Sequence, residues 1–316
     1  MENKTIVFTT KDYSYFVERL SDLGWKSRER FGIGKIKRIS FPDGEAYHCF
    51  DESESVHNRD VVVIGGTDTD ANTLELFDMC YHLAKDGVRT LTIVIPYFGY
   101  STMERAVKSG EIVKAKTRAV LLSSIPPTMR NRIVFMDLHA EGIPHYMEGS
   151  IQPVHLYAKP LIETMCRKAG GDGFVLGSTD AGRAKWVESL ARDMGVDCGI
   201  ITKRRLSGSS TEVSAINADV KDKTVVIYDD MIRTGGSLIG AANAYLGVGA
   251  KEVHAVATHG VLPGDSADKL FNSGVFKSIS VTNTHPRSAG MLFIDRRNFF
   301  KIYDVNEIIF DYLLKN

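Results

Sequence analysis

Short, almost continuous apolar runs alternate along this chain with segments whose apolar positions recur every three or four residues. In the first half, DVVVIGG (60–66), TLTIVIPYFG (90–99) and NRIVFMDLHA (131–140) have the length and β-branched content of buried strands. ANTLELFDMCYHLAKDG (71–87) and IVKAKTRAVLLSSI (112–125) carry the spacing of amphipathic helices. The second half repeats the alternation. Its strands are GFVLGSTD (173–180), CGIITKRR (198–205), KTVVIYDD (223–230) and KEVHAVATHG (251–260), and its helices AKWVESLARDMG (184–195) and LIGAANAYLGVG (238–249). Strands that are apolar along their whole length and separated by helices predict parallel sheets covered on both faces. The fold class is α/β, doubly wound.

The halves echo each other at an offset of about half the chain. Helix 71–87 closes on Asp86-Gly87 before one strand, and helix 238–249 closes on Val248-Gly249 before another. In each, the glycine stands where a helix C-cap is expected. At 316 residues the chain has room for two domains of roughly 150 residues each. A duplicated domain explains both the echo and the length. The join is expected within GSIQPVHLYAKP (149–160), giving domains 1–150 and 151–302. An amphipathic helix over 303–316 can pack on either half, the first domain being the option taken here.

Composition removes some classes of function. Lys plus Arg and Asp plus Glu both number 39, so net charge is zero and no whole-protein field favours nucleic acid or a membrane surface. The opening MENKTIVFTTKD turns polar at once, unlike a signal peptide, and no apolar run approaches the ~20 residues of a membrane span. Cys49, Cys80, Cys166 and Cys198 are scattered without a C-x-x-C pair, the pattern of free thiols in a reducing compartment. A soluble, cytoplasmic protein is the expectation.

The chemistry concentrates in VVIYDDMIRTGGSLI (225–239). Asp229 and Asp230 end an apolar strand, where open parallel sheets bind their ligands. Such a pair needs a partner, in the protein or in a ligand. The turn Arg233-Thr234-Gly235-Gly236-Ser237 precedes a helix, so its backbone N–H groups can converge on one anion with help from the helix dipole. Glycines let the backbone approach a phosphate, and the Thr234 and Ser237 hydroxyls add donors. Adjacent carboxylates suit a sugar cis-diol, so strand end and turn together can hold both ends of a ribose 5-phosphate. The plainer alternative, an Asp pair capping the next helix, explains neither the strand before it nor the T-G-G-S after it.

Four other features are weaker alone. In TKRRLSGSST, Lys203, Arg204 and Arg205 precede a small, polar run that suits a loop closing over phosphates; a solvated basic turn is the alternative. His139 ends the strand 131–140, where a magnesium–nucleotide contact fits, although a strand-end His is more often structural. The HAE here lacks the P-C-x-x-C of zinc deaminases. Asp180 ends another strand and could reach a metal or a ribose, but a lone Asp there is usually an N-cap. FPDGE (41–45) reads as a β-turn.

VVIYDDMIRTGGSL resembles the phosphoribosyl-diphosphate-binding signature shared by type I phosphoribosyltransferases and ribose-phosphate pyrophosphokinases. FPDGEAY (41–47), IPYFGY (95–100), DLHA (137–140), PVHLYAKP (153–160), TDAGRAK (179–185), TKRR (202–205) and ATHGVL (257–262) resemble pyrophosphokinase segments in the same order, over nearly the whole chain. The resemblance implies two tandem, duplicated phosphoribosyltransferase-like (type I) domains, each a mostly parallel sheet flanked by helices. It implies a transferase of the kinase type that passes the β,γ-diphosphoryl group of ATP to the C1 hydroxyl of ribose 5-phosphate. The products are phosphoribosyl diphosphate, for nucleotide biosynthesis, and AMP; the cofactor is Mg2+. Lys203 and Arg205 become the catalytic cations. Asp180, Asp229, Asp230, Arg233, Thr234, Gly235, Gly236 and Ser237 become the ribose 5-phosphate site. Phe41, Asp43 and Glu45 hold adenine across a subunit interface, Arg105 and His139 complete the ATP site, and His139 and Asp180 reach the metal. Self-association into dimers, often assembled as hexamers, is also implied.

The chain departs from the pattern twice. After Pro-Tyr-x-x-Tyr, class I members carry Arg-Gln, whereas this chain has Thr102 and Met103, which cannot neutralise a phosphate. STMERA and LLSSIP look more like plant-type class II members, in which case Arg105, and Lys108 after it, could supply the cation. Arg233 stands where most relatives have Asp and adds positive charge beside the 5-phosphate. Two alternatives remain in view. A phosphoribosyltransferase would leave the second α/β copy unexplained. A non-catalytic regulatory homologue is favoured by Thr102 and Met103 and opposed by Lys203, Arg205, His139, Asp180 and the Asp229-Asp230 pair.

Overall fold

The computed structural model describes residues 4–18, 29–51, 55–207, 210–291 and 298–316. The chain forms two compact units, Met1–Leu156 with Asn306–Asn316, and Tyr157–Val305.

In the first unit, β1 (Thr5–Thr9), β2 (Phe31–Ile33), the pair β3 (Ile36–Ser40) and β4 (Ala46–Phe50), β5 (Asp60–Ile64), β6 (Thr90–Ile95), β7 (Arg130–Met136) and β8 (Ile151–Leu156) follow one another. Strands β2-β1-β5-β6-β7-β8 lie side by side in that order, every pair parallel. The break after Leu156 lies within the expected 149–160, and residues 151–156 stay in this unit because β8 pairs with β7 from Asn131↔Ile151 to Met136↔Leu156. The helices are α1 (Tyr15–Glu18), α2 (Asp70–Lys85) and α3 (Lys114–Ser123). Helix α2 starts where the Thr69 side chain accepts from the Asn72 N–H. It buries Asn72, Thr73, Leu76, Met79, Cys80 and Leu83, one helical face, against the sheet.

The second unit contains β9 (Val175–Ser178), β10 (Asp197–Gly199), the pair β11 (Ile201–Ser207) and β12 (Ser210–Ile216), β13 (Thr224–Ile232), β14 (Glu252–Gly260), β15 (Ser278–Thr282) and β16 (Phe300–Tyr303). Its sheet has the order β10-β9-β13-β14-β15-β16, again all parallel. Helices α4 (Lys159–Gly170), α5 (Ala184–Met194), α6 (Gly236–Gly247), α7 (Ser266–Asn272) and α8 (Pro286–Gly290) accompany it. Helix α9 (Asn306–Lys315) returns to the first unit, where Asn306 Nδ2 donates to the Phe16 carbonyl at 3.3 Å and Phe310 meets Phe31 edge-on at 5.3 Å.

The duplication runs deeper than the sequence echo. In both units the sheet strands, counted in chain order, lie 2-1-3-4-5-6, and an antiparallel hairpin interrupts the chain between the second and third. Gly87 and Gly249, the echoed glycines, have φ +78 and +95, a conformation that costs any L side chain strain. Several strand expectations change: β7 stops at Met136 and β9 at Ser178, so His139 and Asp180 lie in the turns that follow rather than at the strand ends. CGIITKRR is not one sheet strand: β10 stops at Gly199, and Lys203 and Arg205 lie on the β11–β12 ribbon, outside the parallel sheet. Residues 198–205 are apolar only as far as Ile201. Strand β13 does not end at Asp230 but runs on to Ile232.

Candidate active site

A 2-1-3 strand order reverses direction between its first and third strands, and the crevice left there is where open α/β sheets take ligands. In the second unit that crevice separates β9 from β13. Pairing of β13 with β9 stops at Tyr228↔Ser178, whereas pairing with β14 continues to Ile232↔Gly260. The last residues of β13 therefore flank the opening, and Asp229 and Asp230 are among them.

The carboxylates have a protein partner. Arg183 Nη2 lies 2.5 Å from Asp230 Oδ2, and its Nε lies 3.7 Å from Asp229 Oδ1. Asp230 is only 5 % exposed, so this cation is what makes its burial tolerable. Asp229 accepts from Thr179 Oγ1 at 3.1 Å and from the Asp230 N–H at 2.9 Å. Burial, with the Asp230 carboxylate beside it, pushes Asp229 up to about 7 despite Arg183. Among the described residues, Arg183 is a cation shared by the two carboxylates.

Beyond the strand, Gly235 (φ +76) turns the chain into α6, with no side chain capping the helix. A Cβ on Gly235 would meet Leu270 at 2.7 Å, while Gly236 faces open space. The first N–H groups of α6 have no intrahelical partner and point out of the helix end. A cavity of about 450 Å³ lies against them, lined by Asp229 and by the turn from Met231 to Leu238. Arg233, Thr234, Gly236 and Ser237 are exposed along it. The buried Tyr245 hydroxyl ties α6 to the neighbouring strands. It accepts from the Ser178 N–H at 3.2 Å and lies 2.7 Å from the Gly199 carbonyl.

Asp180 is half-buried at the mouth of the same crevice, and its Oδ1 accepts from the Gly182 N–H at 2.8 Å, capping the turn that carries Arg183. The β11–β12 ribbon with Lys203 and Arg205 starts beside that turn, where the Ile201 N–H donates to Ser178 Oγ at 3.3 Å. The structure thus gathers Asp180, Asp229, Asp230 and the 233–237 turn about one crevice, with the ribbon rooted at its edge. Sequence reasoning missed Arg183, although it lies in TDAGRAK and the buried pair demanded a cation.

The remaining candidates belong to the first unit. Phe41, Asp43 and Glu45 form the exposed tip of the β3–β4 hairpin, a turn closed by Phe41 N–H to the Glu45 carbonyl (2.8 Å) and by Glu45 N–H to Asp43 Oδ1 (3.0 Å). His139 is half-buried in the turn after β7, which is pinned by Leu138 N–H donating to His155 Nε2 at 2.9 Å. Arg105 is 79 % exposed and pairs with its neighbour Glu104 at 3.5 Å. Thr102 and Met103 are exposed in a 3-10 turn, Ser101–Met103. The first unit's own switch-point crevice, between β1 and β5, is filled. Tyr13 is fully buried in it, its hydroxyl donating to Asp68 at 3.3 Å and standing 1.9 Å from where a Cβ on Gly66 would be. A larger cavity in this unit, about 760 Å³, is lined by Asp51, Asp78 and Asp86 and by none of the expected site residues. His48 and His82 share its wall with the three aspartates.

Among the described residues no group of three His, Cys, Asp or Glu side chains is placed to hold a metal ion. Magnesium does not require one, since it is commonly held by one or two carboxylates with substrate phosphates and water completing the shell. Carboxylates such as Asp180 and Asp229 are ligand types of that kind. Among the described residues no helix is long and apolar enough to cross a membrane.

Two parallel-sheet units, one with a carboxylate pair and an anion-sized helix turn at its switch point, define a phosphoribosyltransferase-type architecture. The comparisons narrow it. Residues 10–125 match the N-terminal domain of ribose phosphate pyrophosphokinase, and residues 168–284 match the phosphoribosyl transferase domain. A ribose-phosphate pyrophosphokinase of Fusobacterium nucleatum is 34 % identical over 269 residues, covering 83 % of this chain and 83 % of that protein. One of Burkholderia pseudomallei is 35 % identical over 263 residues, covering 82 % and 80 %. The crystal structure of phosphoribosylpyrophosphate synthetase from Mycobacterium smegmatis superposes with a TM-score of 0.83 at 25 % identity, covering 98 % of each chain. The chain belongs to the ribose-phosphate pyrophosphokinase family.

Proposed function

We propose that this protein transfers the β,γ-diphosphoryl group of ATP to the C1 hydroxyl of ribose 5-phosphate, releasing AMP and forming phosphoribosyl diphosphate for nucleotide synthesis. The observation that carries the reading is the β9–β13 crevice, with buried carboxylates on one side and the uncapped α6 turn on the other, in a chain with a second full copy of the same fold. A phosphoribosyltransferase would need the crevice but not the copy.

The sugar is held at both ends. The N–H groups of the 235–237 turn, with the Thr234 and Ser237 hydroxyls and Arg233, take the 5-phosphate. Asp229, Asp230 and Asp180 face the ribose hydroxyls. The first unit supplies nucleotide contacts through His139 and Arg105, and Phe41, Asp43 and Glu45 serve the adenine of a neighbouring subunit in a self-associated dimer or hexamer. In the reaction the C1 oxygen bonds to the β-phosphorus as the bond from that phosphorus to the bridging oxygen breaks, leaving that oxygen on AMP. Lys203 and Arg205 meet the charge spread over the transferring group, which positioning and electrostatics chiefly stabilise. His139 and Asp180 would be the protein ligands for Mg2+, which would arrive with the nucleotide and neutralise phosphate charge. Free Cys49, Cys80, Cys166 and Cys198 suit a reducing cytoplasm.

The test is direct. Pure protein incubated with ATP, magnesium and ribose 5-phosphate should release AMP. Pyrophosphate release from phosphoribosyl diphosphate and an added base would make it a transferase instead, and silence in both assays a regulatory homologue.

A further inference from the structure

Thr102 and Met103 leave the nucleotide side without the cations that a triphosphate requires, and the structure supplies two from elsewhere. Tyr100 follows β6 in a left-handed conformation, φ +60. Over its ring lie Lys114 Nζ, 4.8 Å from the centroid, and Arg118 Cζ, 4.9 Å from it. Both come from the first turn and a half of α3. Asp70, the first residue of α2, accepts from the Tyr100 hydroxyl at 2.7 Å and pairs with Arg118. These residues follow β5 and β6 at the carboxyl edge of the sheet, and β7, which leads to His139, is the next strand. Tyr13 occupies the β1–β5 crevice, and this edge offers a second place for a ligand in the first unit.

The cluster is incomplete without an anion. Lys114 and Arg118 are like charges at i and i+4, an arrangement that by itself disfavours the helix. One carboxylate, Asp70, serves both, and its side chain is 66 % exposed. Arg118 Nε is buried with no hydrogen-bond partner among the described residues, a costly state for a charged donor. Helix α3 begins at Val113 with no side-chain cap, so its positive end opens beside Lys114. Stacking on the tyrosine holds both cations in place before ligand arrives, which lowers the ordering cost of binding.

Taking the ATP reading above as its basis, we propose that Lys114 and Arg118, presented on Tyr100, bind the polyphosphate chain of the nucleotide and replace the cations lacking at 102 and 103. Arg105, on an exposed turn, is secondary to them. Titration calorimetry on the full chain tests this with ATP, AMP and inorganic tripolyphosphate as probes. In Lys114→Gln/Arg118→Gln, Kd for ATP and tripolyphosphate should rise at least about tenfold, with AMP and ribose 5-phosphate affected far less. Arg118→Lys should keep most of the affinity, and Arg105→Ala should lose less than the double variant. Thermal melts establish that each variant is folded. A folded double variant with wild-type ATP affinity, or a larger loss in Arg105→Ala, overturns the proposal while leaving the diphosphokinase reading intact if AMP is still formed. Tripolyphosphate binding that depends on both cations, in a protein that never forms AMP, upholds the site and removes the reading. Wild-type protein that binds neither ATP nor tripolyphosphate overturns both.

Discussion

Replacing Arg183 by Met keeps the bulk of the side chain and removes a cation that, among the described residues, lies against both carboxylates of the crevice. Asp230 would then sit 5 % exposed without its 2.5 Å partner. Breaking a buried pair from one side costs about 3–5 kcal/mol, and the lower figure applies because Arg183 keeps 19 % of its surface in solvent. For a unit of this size a loss of about 3 kcal/mol lowers Tm by roughly 6–12 °C. The pH dependence makes the test specific. Asp229 is raised to about 7 when folded, so between the unfolded value and 7 the native state binds more protons than the unfolded one, and stability falls as pH rises through that window before levelling. Arg183 opposes the rise, so its removal moves the window upward. The deficit of Arg183→Met should therefore be larger at pH 8 than at pH 5, where the carboxyl is protonated in either protein. Scanning calorimetry at both pH values measures it. An equal deficit at the two, or none, would refute the reasoning. Arg183→Lys should recover only part, since an ammonium cannot reach two carboxylates as a planar fork does.

Changing Asp229 and Asp230 to Asn together should weaken ribose 5-phosphate use far more than ATP binding; unchanged sugar kinetics would remove the pair from the site. Lys203→Ala should lower kcat and kcat/KM together by about 10², as for a lost transition-state donor, and a raised KM with intact kcat would make it a substrate binder. Tyr245→Phe strands the buried Ser178 N–H and Gly199 carbonyl and should cost about 1–3 kcal/mol in urea unfolding, with a change near zero contradicting the pinning of α6.

Much of the architecture was legible because buried parallel strands leave a strong mark: 61–64, 93–95 and 225–228 are unbroken runs of apolar or aromatic residues. The short edge strands β2, β10 and β16 pair on one side only and carry too few residues to show a period. The β11–β12 ribbon was hidden for another reason, since its polar residues mimic a loop and its pairing register depends on a partner ten or so positions away. At the site, the carboxylate pair and the glycine turn announced themselves by composition. Arg183 did not, because its role depends on β9 and β13 being neighbours, although about fifty residues separate them in the chain. Lys114 and Arg118 were similarly invisible: they are ordinary helix-surface cations until the fold puts Tyr100 beneath them.

The plug at Tyr13 has a consequence for how the two halves can change. Two copies of one fold start with two equivalent clefts, and here the first has become interior, its mouth filled by a phenol ring against Gly66. From that point the copies answer to different demands. At Gly66 the tolerance is a matter of volume, since even a methyl group collides with the ring. At Asp229 and Asp230 the proposed sugar site would make it a matter of charge, since the carboxylates must stay able to accept from a guest. The symmetry of the two copies survives in the backbone and is broken in the side chains at their switch points, by a phenol ring in one and a carboxylate pair in the other.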